Sequence, residues 1–179
     1  PCRDASDRAT ATLVIAESQW WLLDIALDHL TLGRALMYGS VLEADASVTQ
    51  LAPNTGRLFD LTAPQHHLDA AVDGFRRAGT THHLPRGLMS RAWLRFLQGS
   101  RDMARADLDE AWEIAERGPM RLHLADIHLH RTRLFHAARP YPWGTPYADL
   151  AAARRLIEEC GYGRRKGELE DTEAAAERW

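Results

Sequence analysis

The segment ADLDEAWEIAE at Ala106–Glu116 returns as ADLAAARRLIE at Ala148–Glu158. Ala106, Asp107, Leu108, Ala111 and Glu116 recur identically at an offset of 42, and Ile114 falls on Leu156. Upstream, HLDAAVDGF sets Leu68, Asp69 and Ala71 on Leu108, Asp109 and Ala111 at an offset of 40. A unit of that size, with apolar and small residues at helical spacing, marks stacked helix pairs. Each pair buries its apolar face only against its neighbours. The repeat therefore restricts the chain to an all-α array.

Each repeated segment supplies a second helix, and a first helix precedes it. Thr12–Leu42 is expected to form one long helix, apolar around most of its circumference and hence sandwiched. Residues 1–10 are polar and expected to be frayed or part of a first turn. Leu51–Pro64, with two prolines, a glycine and an asparagine, is expected to be a loop into which Leu58, Phe59 and Leu61 tuck. Gln65–Ala78 follows as a helix closed by Gly79. Pro85–Gln98 ends at Gly99, the helix through Met103 and Trp112 stops at Gly118–Pro119, and Met120–Ala138 leads to the loop PYPWGTP. Ala148–Cys160 and a charged final helix complete the chain. The expected hairpins span about 12–80, 85–118 and 120–161, with a cap at 166–179 in a single domain.

The stretch His82–Gly118 is the clearest copy. Its Ala92, the turn at Gly99, and Ala104 and Ala111 stand where a tetratricopeptide repeat has small residues. The chain resembles that family, with a unit nearer forty residues than the roughly thirty-four of the usual motif. It is similar to the longer repeats in C-terminal sensor arrays of bacterial signal-transduction ATPases and related NACHT- or TIR-type proteins. The resemblance covers Gln65–Gly161 and implies a right-handed α-α superhelix of about three hairpins plus a cap. It further implies a protein- or ligand-sensing role in signalling, with any effector domain outside this chain. Neither a P-loop nor a TIR-like segment is present, so no nucleotide chemistry carries over.

Composition narrows the function classes. The net charge is −3, which gives no basic excess for nucleic acid. The most apolar run, Trp20–Tyr38, holds Asp24, Asp28, His29 and Arg34, which are costly in lipid, so no membrane span is expected. Two distant cysteines suggest neither a metal site nor a disulfide framework and fit a reducing, cytoplasmic setting. The chain starts at Pro1 without a signal-like segment, and a fragment of a longer protein is the expectation.

Nine histidines stand out in 179 residues. His123, Asp126 and His130 lie at i, i+3 and i+7, on one helix face. First helices line the concave surface of such arrays, so Arg91, Arg95, His123, Asp126, His130 and Arg133 are the candidate groove residues for a protein or peptide partner. Arg91 and Arg95, at i and i+4, suit a carboxylate or phosphate unless they pair with Asp102, Glu110 or Glu113. Trp143 is either a recognition anchor or a plug between helices. The alternative is a metal-binding protein or metal-dependent enzyme built on His123, Asp126 and His130, with His82 or His83 as a further ligand. A third reading has the array self-associate through Trp20 and Trp21. Neither a nucleophile elbow nor a carboxylate dyad appears, so no catalytic residue and no cofactor is expected.

Overall fold

The structure, a computed structural model, describes residues 1–47 and 60–179. Among them are eight α-helices, one short 3-10 turn and no strand. The helices are α1 (Cys2–Ser18), α2 (Leu22–Ser47), α3 (Thr62–Arg77), α4 (Leu84–Leu97), α5 (Arg101–Arg117), α6 (Arg121–Phe135), α7 (Pro146–Glu159) and α8 (Lys166–Ala176). The 3-10 turn, Gly163–Arg165, precedes α8. The chain is thus an all-α array of consecutive helix pairs. Most of the loop expected at 51–64, with Leu58 and Phe59, lies outside the described residues. Leu61 is buried, and Thr62–Pro64 form the first turn of α3.

The expected long first helix is two helices. α1 stops at a Schellman turn: the Trp21 amide donates to the Ala16 carbonyl at 3.1 Å and the Trp20 amide to Glu17 at 3.2 Å. Trp20 sits in the left-handed region at φ 58°, and no glycine marks the stop. The polar residues 1–10 belong to α1 rather than to a frayed end. α2 runs on through Gly39–Ser40 to Ser47.

The residues that defined the repeat form the buried seam. Leu68, Leu108 and Leu150 are buried, as are Ala71, Ala111 and Ala153. Each such leucine contributes roughly 1.5–3 kcal/mol of apolar burial. Missing side chains allow the closest approach. A Cβ on Gly33 would lie 2.7 Å from Leu68 Cγ, and one on Gly74 would lie 2.7 Å from Ala26 Cβ, so α2 and α3 meet almost backbone to backbone. Across pairs, α2 approaches α4, α4 approaches α6, and α6 approaches α8. The second helices α3, α5 and α7 make no comparable backbone approach to one another. The array therefore bends toward its first helices, and their outward faces form its concave side.

The residue before each repeated leucine ties the two helices of its pair. Asp107 Oδ1 accepts from Arg91 Nη2 at 2.7 Å, and Asp149 Oδ1 lies 2.6 Å from His128 Nδ1. In the first pair the same position is His67, whose Nδ1 is 2.8 Å from His29 Nδ1. One ring must donate and the other accept, so double protonation breaks the bond. Burial lowers the pKa of both, with the charge of His66 adding to the effect on each; Glu17 and Asp28 oppose it at His29.

Because both folded values lie below the ordinary histidine value of 6.5, the unfolded chain takes up protons first as pH falls. The stability is therefore complete above about pH 6.5 and is lost as pH drops through the lowered folded values. The urea midpoint should be higher at about pH 7.5 than at about pH 5. The variant His29→Gln/His67→Gln should show a shallower dependence, and an unchanged slope would refute the assignment.

Candidate functional site

The concave side encloses a cavity of about 500 Å³ between α2, α4, α6 and the 3-10 turn. Five arginines line it: Arg34, Arg86, Arg121, Arg164 and Arg165. His82, His123, His130 and Tyr162 share its wall, and Asp126 is the one carboxylate among the described residues that line it. The chain carries a net charge of −3, so this is a local reversal of sign. Clefts lined by one sign of charge concentrate ligands of the other.

The helices place these groups for identifiable reasons. Arg34 stands one residue after Gly33, where α2 is drawn closest to α3. Its Nε donates to Ser90 Oγ at 2.7 Å and its Nη2 to the Arg86 carbonyl at 3.3 Å, so α4 fixes the guanidinium. Burial lowers the Arg34 pKa from its ordinary value; Tyr38 leads the opposing influences. Asp126 is held by Arg165 Nε at 2.7 Å and by the Tyr162 hydroxyl at 3.3 Å. Arg165 is also paired with Glu168, and the acids outweigh burial in raising its pKa. Arg121 pairs with Glu159 across the α6–α7 boundary. Among the described residues, Arg34, Arg86 and Arg164 have no carboxylate partner.

The histidines of α6 differ in role. His130 Nδ1 donates to the Asp126 carbonyl at 2.8 Å, one turn back in its own helix. Burial lowers its pKa, with Asp126 opposing. The Nδ1 of His123 is buried and has no hydrogen-bond partner among the described residues. Burial lowers its pKa too, against the charge of Asp126. Although His123, Asp126 and His130 line the same cavity, the Asp126 carboxylate is committed to Arg165 and Tyr162. Among the described residues no three His, Cys, Asp or Glu side chains are grouped to hold a metal.

Arg91 and Arg95 do not line this cavity. Arg91 is buried between α3, α4 and α5, where Asp107 holds it bidentately at 2.7 and 3.1 Å and Asp69 at 3.1 Å. Arg95 reaches Asp107 at 2.8 Å and Asp69 at 3.9 Å. The charges close on themselves, and the partners are neither Asp102 nor Glu110 nor Glu113. Burial opposes the charge of Arg91, but the bonds and charge of Asp107 and Asp69 raise its pKa. Burial raises the Asp107 carboxyl against the pull of both arginines. Arg133, exposed, bonds Glu168 at 3.4 Å and lines a smaller cavity of about 190 Å³ with Trp93, His130 and Leu134.

Trp143 is half-buried and folded back over the helices. Its Nε1 donates to Asp109 Oδ1 at 2.6 Å, and its ring covers Arg131, whose Cζ is 4.7 Å from the ring centroid. Trp112 covers the same guanidinium at 4.4 Å, and Arg131 also meets Asp109 at 3.6 Å. Tyr141 of the same loop donates to Asp149; burial, then that bond, raises its pKa. Trp143 therefore plugs the gap between helices. Trp20 and Trp21 are exposed at the α1–α2 turn.

The arginines that make the cavity basic (Arg34, Arg86, Arg121, Arg164 and Arg165) are the residues that sequence reasoning missed. Arg164 and Arg165 belong to a short basic run followed by acids, a pattern typical of a solvated surface, and the others had no repeat partner to mark them. The ion pair of Arg91 had a usable signal, since Arg91 and Arg131 are 40 residues apart, as are Asp69 and Asp109. No protein-family model, curated protein or solved structure matches the chain.

Removing one partner of a buried pair strands the other. Arg91→Met or Asp107→Leu alone should cost about 3–5 kcal/mol of stability, and the combined variant much less than the sum. Urea denaturation of the four proteins in a double-mutant cycle checks this, and additive losses would contradict it.

Proposed function

We propose that the chain is a tetratricopeptide-like recognition module that holds an acidic segment of a partner protein on its concave face, without chemistry on that partner. The observation that carries this is the gathering of five arginines against one carboxylate around the cavity, in a chain whose net charge is negative. Ties between helices consume the carboxylates of Asp69, Asp107, Asp109 and Asp149, whereas among the described residues Arg34, Arg86 and Arg164 have none to meet. An acidic peptide supplies the missing charge, and the exposed Leu122 gives it apolar area to cover.

A short fluorescein-labelled peptide rich in Glu should bind in anisotropy titrations, and a Lys-rich peptide of equal length should not. The complex should weaken as salt rises. Arg121→Glu/Arg164→Glu changes two exposed residues and should lower the affinity at least about tenfold, since like charges repel the peptide. Equal binding of both peptides, or full retention by the variant, would rule this face out as the binding surface.

A further inference from the structure

The cavity holds more positive charge and more donors than one carboxylate can use, and they converge from three helices. Arg34 is positioned in advance: Ser90 and the Arg86 carbonyl hold two of its nitrogens, while Ser90 itself donates to the Arg86 carbonyl at 2.8 Å. Among the described residues the Nη1 of Arg34 has no acceptor. Arg86, one turn before Ser90 on α4, is exposed and meets no carboxylate among them. From α6, His123 lines the same wall; its ring bonds the His82 backbone, and its Nδ1 is buried with no hydrogen-bond partner among the described residues. Asp126, the one carboxylate among the described lining residues, is tied to Arg165 at 2.7 Å, and its single charge acts on Arg34 and His123 as well, so it leaves the cavity with a positive excess.

We infer that Arg34, Arg86 and His123 form a subsite for a phosphate monoester. This rests on the reading of the concave face as the binding surface and names the ligand chemistry within it. A phosphate dianion has three terminal oxygens and up to two charges, so it can take a guanidinium fork and a second guanidinium together, with the His123 ring beside them. A carboxylate has two oxygens and one charge and leaves part of that set unpaired. The volume of about 500 Å³ exceeds what a phosphate fills and falls in the usual range for small-ligand pockets, so the ester carries an organic group. Arg164 at the rim adds charge that draws the anion in. The ester can sit on a small molecule or on a phosphorylated side chain of a peptide.

Calorimetric titration with phenyl phosphate, adenosine 5′-monophosphate, a phosphoserine peptide and its unphosphorylated twin tests the inference. Saturable binding of the phosphate-bearing probes is expected, weakened about tenfold by Arg86→Gln, whose side chain is exposed and can change without loss of fold. Arg34→Gln should act in the same direction, with a melting curve confirming that it is folded. Arg154→Gln, on the far side in a pair with Glu173, should change nothing. Tighter binding of the phosphopeptide than of the nucleotide assigns the ester to a protein partner, and the reverse assigns it to a small molecule. The inference is overturned if no phosphate-bearing probe saturates at millimolar concentration, or if Arg86→Gln leaves affinity unchanged. If the Glu-rich peptide still binds and phosphate does not, the concave-face reading stands alone.

Discussion

Guanidinium–carboxylate ties cross each boundary between one helix pair and the next, and the array depends on them for its register. Arg91 of α4 reaches back to Asp69 of α3, and Arg131 of α6 reaches back to Asp109 of α5. Apolar packing is non-directional and tolerates sliding; a buried guanidinium does not, because away from its carboxylate it loses both solvation and partner. Asp107 and Asp149 add ties within their own pairs. Arg131 goes furthest: its Nε is buried without an acceptor, and two tryptophan faces cover the charge instead.

These ties determine where charge is left over. The chain has 25 acidic residues and 22 lysines and arginines, so the cavity's positive sign is not compositional. It arises because acids at the repeat positions are drawn between helices, while Arg34, Arg86 and Arg121 on the first helices face the concave side. Bending toward those helices then brings Arg34, Arg86 and Arg121 from three separate pairs around one space. The first pair departs from the scheme: His29 and His67 stand where Arg91 and Asp107 stand later, and the tie becomes a hydrogen bond that survives only with a ring neutral. Backbone approach at Gly33 and Gly74 compensates there by bringing α2 and α3 into unusually close contact.

Much of the fold was legible in the residues. Gly79, Gly99 and Gly161 each sit past a helix end at positive φ, where glycine has no Cβ penalty, and the sequence showed all three stops. The stop at Trp20 was invisible because a tryptophan adopts that conformation only where surrounding hydrogen bonds impose it. The site was less legible. The placement of His123, Asp126 and His130 on one face followed from helical spacing, but spacing does not say that Asp126 is already held by Arg165, 39 residues away. Likewise the i, i+4 relation of Arg91 and Arg95 put them on one face without saying which way it turns.

The sequence by itself determined the all-α class and the buried seam of Leu68, Leu108, Leu150 and their alanines. Helical periodicity is local, and a repeat copies the same local answer. Tertiary structure alone decided which arginines meet carboxylates and which are left facing the cavity. Charge pairing is a property of distance in space, and residues as far apart in the chain as Arg34, Arg86, His123 and Arg165 come together only when the pairs stack and the array bends.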